Sequence, residues 1–303
     1  MILTAWLVSL LIFIMMEVVP GDVARMILGQ FASDNALSAL RQELGLDLPV
    51  WHRYPAWLAG VLQGDFGNSL YFNVPIVPLL LRRLENSLIL AGFAGAVAIP
   101  ISIAVGVIAG LRRGKVTDHA LSITALAMVS MPEFLTGMGL IIVFSGWLDW
   151  LPPTSMILGD ASPLDSFKTL ILPVTTLTLG MIAYISRMAR ASVVEVMQTE
   201  YIRMAVLKGM RWHTVVFKHA LRNALLPTIT VIAVYLGWLV GGLIVVETVF
   251  GYPGIGSLLL VAIKGRDVPL LEAIVLIIVL AYLLSSMFAD ILYVMLNPRI
   301  RYK

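Results

Sequence analysis

Two groups of residues in this chain sit where ionisable chemistry is either expensive or openly displayed. Glu133 follows Pro132 in the middle of a long apolar run, residues 120–148. A carboxylate in hydrocarbon costs a few kcal/mol unless it meets water or a partner, so it marks a solute pathway, a proton carrier or a bonded structural group. Pro132 removes one helical hydrogen bond and opens the backbone beside the carboxylate. Two readings are open for this pair. It lines a pathway in which Glu133 meets cationic or amide groups, or Glu133 is structural and bonds Ser130, Thr136 or a neighbouring subunit.

The second group is a basic island. Arg187, Arg190, Arg203, Lys208, Arg211, Lys218 and Arg222 are seven of the 21 Lys and Arg residues, gathered between two apolar segments. Its helix-forming stretch 194–208 is followed by Gly209, placed to end a helix in the left-handed conformation. Thr214 is placed to cap a second helix through Phe217 and Leu221, and Pro227 suits the first turn of the next apolar segment. The small Ala205 and Gly209 would let another protein's cleft approach the backbone. The competing reading is a basic amphipathic segment lying on anionic headgroups.

Other chemistries lack their parts. His52, His119, His213 and His219 have no metal-ligand spacing, and there is no cysteine. Gly110 to Val116 is the nearest approach to a phosphate loop, but the glycine spacing is short and Val116 cannot hold magnesium as Ser or Thr would. Asp65-Phe66-Gly67 spells a kinase tripeptide without any companion motif, and no Gly-x-Ser-x-Gly elbow occurs. The chain is expected to be non-catalytic, with no cofactor of its own.

The elements that position these residues are membrane helices. The chain is 59% hydrophobic and 13% charged, with a mean hydropathy of +0.94, whereas a soluble domain carries about 25% charged residues. Apolar runs long enough to cross a core of ~30 Å occur at residues 1–19, 87–111, 120–148, 170–186, 225–246 and 270–296. The predicted class is an all-α integral membrane protein with six transmembrane helices. Arg112, Arg113 and Lys115, the island, and Arg299, Arg301 and Lys303 share one side, which places both termini in the cytoplasm.

The expected organisation is a first transmembrane helix (1–19), an extracytoplasmic region with short helices (20–86) and a five-helix core (87–303). Leu37, Leu40 and Leu44, then Trp51, Tyr54, Trp57 and Leu58, recur at helical spacing and predict two short amphipathic helices, the aromatics anchoring to headgroups. Gly106-x-x-x-Gly110 and Gly237-x-x-x-Gly241 offer small faces for close helix packing, within the chain or at a subunit seam. Glu17, Glu247 and Asp290 fall near span ends and read as interfacial or packing charges.

Ala205 followed by Gly209 and then Leu221 resembles the EAA loop of ATP-binding-cassette importer permeases. Arg203, Met204 and Arg222 depart from that pattern's Glu, Ala and Pro. Tyr201 to Gly209 with His219 to Pro227 resembles the dipeptide, oligopeptide and nickel branch. So do, in order, Leu44-Gly45-Leu46-Asp47 with Pro49, Gly64-Asp65-Phe66-Gly67 with Ser69, Val246 to Phe250 with Pro253-Gly254-Ile255-Gly256, Arg266-Asp267 with Pro269, and Asn297-Pro298-Arg299-Ile300-Arg301. The long loop after the first helix is similar to the B-type subunit of such systems.

The resemblance implies a type I importer permease fold in the bacterial inner membrane. It implies a C-type permease partner, two cytoplasmic ATPases that bind ATP and magnesium, and an extracytoplasmic binding protein. It assigns coupling to the ATPases to Glu200, Tyr201, Arg203, Ala205, Lys208, Gly209, Leu221 and Arg222, within a loop at about 191–224. The alternative is a stand-alone proton-coupled secondary transporter using Glu133 as its proton site, though no internal duplication is visible.

Overall fold

The computed structural model describes residues 2–18, 32–43, 47–156, 163 and 167–296, and among them every regular element is a helix. In chain order these are α1 (Ile2–Val18), α2 (Asp34–Glu43), α3 (Val50–Leu62), α4 (Ile76–Leu111), α5 (Val116–Ser130) and α6 (Glu133–Leu140), which continues as a π-helical turn, Ile141–Trp147. The remainder are α7 (Phe167–Met197), α8 (Glu200–Leu207), α9 (Trp212–Thr214), a second π-helical segment (Val215–Ala220), α10 (Leu221–Phe250), α11 (Ile255–Gly265) and α12 (Val268–Leu296). The Leu44-Gly45-Leu46 and Asn297 to Arg301 motifs lie outside the described residues, as do the terminal Arg and Lys used for orientation.

Among the described residues three helices are long and apolar enough to cross a membrane: α4, α7 and residues 268–292 of α12. The number rises to five if two bent helix pairs each count as one span, against the six expected. The run 120–148 is one of those pairs. It is not a straight span: α5 stops at Ser130, Met131 is extended, and α6 starts at Glu133 after a bend of 103°. Proline at 132 disfavours helix at the preceding residue and cannot supply the next amide donor, which accounts for the break.

Helix ends also differ from expectation. α4 begins at Ile76 rather than at 87, carrying Arg82, Arg83 and Glu85 within the helix. α7 runs on to Met197, so Arg187 and Arg190 belong to it and not to a loop. α11 lies in a stretch expected to be a connection, and α10 starts at Leu221, which puts Pro227 inside it rather than in its first turn.

The chain divides into two compact units. In the first, residues 1–85 with 257–283, the two short helices form, and Tyr54 and Trp57 of the second pack onto α1. Their rings pack 5.5 and 5.7 Å from Phe13 of α1. The Ser9 hydroxyl donates to the Trp6 carbonyl, so the Tyr54 hydroxyl must donate to Ser9 Oγ at 2.8 Å. Trp51 remains 73% exposed. Asp267, fully buried, accepts from Ser69 Oγ at 2.5 Å, from the Tyr71 amide at 3.0 Å and from the Leu270 amide at 3.2 Å, so it caps α12 and fastens the 69–72 turn.

The second unit, residues 86–256 with 284–303, has its apolar core between α4, α7 and α10, with Leu90, Leu177, Met181, Ile185, Leu243 and Phe250 at its centre. Gly106 and Gly110 of α4 form the expected small face, and it is used inside this chain. A methyl group on either would overlap Ala189 or Val193 of α7. Around Gly241 a methyl group would meet nothing within 4 Å.

Glu247 is wholly buried rather than interfacial. Ser87 Oγ donates to it at 2.5 Å and the Gly256 amide at 2.7 Å, while the Ile255 amide donates to Ser87 Oγ at 2.8 Å. Tyr252 donates to the Asn86 carbonyl and Asn86 to the Pro253 carbonyl. The segment 246–256 thus folds into a cage built on one carboxylate. Buried charge is tolerated when hydrogen bonds occupy its lone pairs in this way.

Candidate functional site

The basic island is divided among several helices, and at its centre α8 is held from one side. Ile202 and Ala205 of α8 are buried against Val215 and Ala220, with Val196, Met197 and Met210 around them. The opposite face, Tyr201, Arg203, Met204, Val206, Leu207 and Lys208, is exposed. The expected single helix 194–208 is two, separated at Gln198 and Thr199. That break frees α8 from the direction of α7.

The end of α8 is a Schellman turn. Gly209 has φ +74° and its amide donates to the Val206 carbonyl at 2.9 Å, while the Met210 amide donates to the Ala205 carbonyl at 3.3 Å. Gly209 therefore takes the left-handed conformation expected of it. Thr214 does not cap the next helix. Arg211 occupies that position without a side-chain hydrogen bond, and Thr214 lies in α9.

Tyr201 ties α8 to the helices C-terminal to it. Its hydroxyl donates to the His219 carbonyl at 3.3 Å and accepts from Asn223 Nδ2 at 2.9 Å. The contact joins α8 to the π-helical segment and to the first turn of α10. Glu200 and Arg203 face each other at 3.8 Å and are highly exposed, a pairing worth little. Leu221 opens α10 half-buried and Arg222 is exposed; Ala205 faces inward, where its small size lets α8 lie close to the π-helical segment.

The second candidate is a cavity of about 630 Å³ in the membrane part, lined by Met131, Pro132, Glu133, Gly180, Tyr184 and Tyr235 among others. Glu133 opens α6 directly after the break, and its carboxylate rests against Gly242 of α10. A methyl group there would lie 2.8 Å from one carboxylate oxygen, whereas at Gly180 it would lie 3.6 Å from the other. The hydroxyls of Ser130 and Thr136 donate to the Leu126 and Pro132 carbonyls instead. Tyr184 and Tyr235 pack with ring centroids 5.4 Å apart and planes tilted by 35°.

A second cavity of about 600 Å³ shares Tyr184 and Val231 with the first and is lined also by His119, Ser122, Arg187 and Arg190. Arg190 is committed to Asp118, with Nε at 2.5 Å from Oδ1 and Nη2 at 2.7 Å from Oδ2; the Gly114 amide donates to the same carboxylate at 2.9 Å. Asp118, Gly242, Tyr184 and Tyr235 are not legible as site residues in the sequence. Asp118 and Arg190 stand 72 positions apart, and only the break at Pro132 hints at a cavity. Among the described residues no group of three or more His, Cys, Asp or Glu could hold a metal ion.

The described residues thus form a helical bundle in which a short helix, buried on one face and exposed on the other, follows the long core helix α7. Residues 102–302 match the family described as "Binding-protein-dependent transport system inner membrane component", and residues 1–86 match the corresponding N-terminal family. The chain belongs to this family, and it is a permease subunit of an ATP-binding-cassette importer.

It is 36% identical over 296 residues to a probable peptide ABC transporter permease protein of Sinorhizobium fredii, covering 98% of this chain and 95% of that one. It is 38% identical over 300 residues to the glutathione transport system permease protein GsiC of Escherichia coli strain K12, covering 99% and 95%. Among solved structures, the inward-facing MetNI methionine ABC transporter aligns with a TM-score of 0.60 at 18% identity, over 72% of this chain and 96% of that one. A second, an amino acid ABC transporter with histidines, aligns at 0.53 and 14% identity, over 71% and 93%. These two support the fold. The importer family excludes the stand-alone secondary transporter considered for Glu133.

Proposed function

We propose that this chain is the B-type permease of an importer for peptides or related small solutes, and that it forms half of the translocation pathway in a bacterial inner membrane. It crosses the membrane six times with both termini in the cytoplasm. A C-type permease supplies the other half, two cytoplasmic ATPases bind ATP and magnesium, and an extracytoplasmic binding protein delivers the cargo. Hydrolysis belongs to the partners.

The observation that carries this reading is α8. An eight-residue helix buried on Ile202 and Ala205 but exposed on Arg203, Met204, Leu207 and Lys208 supports a docking knob, which this reading puts on the cytoplasmic side. Glu200, Tyr201, Arg203, Ala205, Lys208, Gly209, Leu221 and Arg222 make or position its docking surface. Movement of a docked ATPase passes through the Tyr201 contact into α10 and so to the wall of the Glu133 cavity. The peptide class rests on the names of the two relatives, one a peptide and one a glutathione permease.

The test is gentle detergent purification from the native membrane with identification and stoichiometry of what accompanies the chain. A second permease and two ATPases are expected. A homo-oligomer without ATPase would overturn the reading.

A further inference from the structure

The two cavities adjoin, because Tyr184 of α7 and Val231 of α10 line both. Gly180, Tyr184 and Arg187 are spaced four and then three residues apart, so they share one face of the helix. Gly180 lies beside the Glu133 carboxylate, Tyr184 lines both cavities, and Arg187 lines the second. Seven residues of helix separate the two ends, a rise of about 10 Å. The site therefore presents a carboxylate at one end, a tyrosine pair in the middle and a guanidinium at the other end.

The two arginines of the second cavity differ in availability. Arg190 is held by both oxygens of Asp118, whereas no ion pair among the described residues takes the guanidinium of Arg187. His119 on α5 adds a further potential donor to the same cavity. A negative group beside Gly180 and a positive one on Arg187, set about 10 Å apart along the α7 backbone, suit a zwitterion of that length scale. An extended peptide advances about 3.4 Å per residue, so a peptide of two or three residues has the length scale of that rise.

We infer that the adjoining cavities bind a short peptide by both of its ends, with Glu133 receiving the free ammonium group and Arg187, assisted by His119, receiving the free carboxylate. The inference rests on the permease reading above and names the ligand class of its pathway. Tyr184 and Tyr235 contact the intervening backbone and side chains, a surface that tolerates varied sequence because an aromatic face does not require one partner. Recognition of the termini, common to all unblocked peptides, lets the membrane subunit check cargo length without reading its side chains.

The experiment uses the purified complex in lipid nanodiscs without the binding protein, so that only the membrane site is read. A tripeptide carrying photoreactive leucine at its centre is cross-linked, and tri-alanine, N-acetyl-tri-alanine and tri-alanine amide compete. Labelling at Tyr184 or Val231 is expected, with each blocked analogue competing at least about tenfold more weakly than tri-alanine, as loss of a charge-assisted hydrogen bond implies. Glu133→Gln should abolish the advantage of the free over the acetylated peptide and leave the free-to-amide ratio intact. Arg187→Gln should do the reverse.

Equal competition by all three peptides, labelling elsewhere, or a uniform weakening of all three by either variant would overturn the two-ended site. The same preparations are scored for retained ATPases and ATP hydrolysis. A complete, hydrolysing complex with flat competition removes the two-ended site alone, and a chain purified without ATPases removes the importer reading on separate grounds.

Discussion

Arg190 grips Asp118 with two parallel hydrogen bonds, so the turn between α4 and α5 is fastened to α7 by a bidentate ion pair. Asp118 is 1% exposed and also accepts from the Gly114 amide, which closes the turn itself. The arrangement holds three helices of the second unit in register at one end of the bundle, where Gly106 and Gly110 already bring α4 against α7.

Asp118→Ala should therefore destabilise the subunit by about 2–3 kcal/mol, below the upper range for a buried pair because Arg190 is one-third exposed and can be solvated. Arg190→Lys should incur a smaller loss, since an ammonium keeps the charge but cannot make the paired contact. The thermal midpoint of the purified complex measures both. Equal midpoints for wild type and Asp118→Ala would show that the pair contributes nothing to stability.

Gly242→Ala should disturb the pathway without touching cargo. The new methyl would stand 2.8–3.0 Å from the oxygens of Glu133, too close unless the carboxylate moves away from α10. Gly180→Ala, at 3.6 Å, should be tolerated. Uptake assays on the two variants, with assembly monitored in parallel, should separate them by about tenfold, the scale expected for about 1.4 kcal/mol at a displaced charged contact. Identical uptake would mean that the position of Glu133 is not critical.

The sequence is legible where its signals are local. Hydropathy locates α4, α7 and α12, and Gly209 discloses its left-handed turn because few other residues adopt it. Pairings across long separations carry no such period: Asp118 with Arg190, Ser69 with Asp267, and Ser87 with Glu247 are joined only by the fold. Pro132 signals an opening, but not that the helix turns by 103° there. The aromatic spacing in α3 marks a helix face, whereas its partner, Phe13, leaves no mark because α1 is apolar on all sides.

Glu247 explains why 246–256 is so rich in glycine and proline. Any side chain at Gly254 would overlap the carboxylate, and one at Gly256 would overlap the backbone of Ile244. Glu247→Ala should leave the Gly256 amide and Ser87 hydroxyl without their buried acceptor and cost about 2–4 kcal/mol. Little mature protein should accumulate in the membrane. Glu247→Gln keeps an acceptor of the same shape and should accumulate to an intermediate level; the amount of folded subunit by quantitative blotting distinguishes the three.

Gly209 allows bulk at the docking knob to be separated from strain in its turn. At φ +74° any side chain costs roughly 1 kcal/mol, but asparagine tolerates the left-handed region better than most. A methyl group there meets nothing within 4 Å in this chain, so a larger residue would project outward without internal collision. Gly209→Asn should retain ATPase association, whereas Gly209→Trp should lose it while the permease still inserts and purifies. Tyr201→Phe provides the complementary case. It removes hydrogen bonds to the His219 carbonyl and Asn223 at a cost of about 1 kcal/mol and leaves the exposed face of α8 intact. That variant should bind ATPases and hydrolyse ATP, but move less cargo per ATP, because the docked helix is loosened from α10. Co-purification and paired uptake and hydrolysis rates read these outcomes. Normal uptake and normal ATPase binding in Gly209→Trp would remove α8 as the docking element.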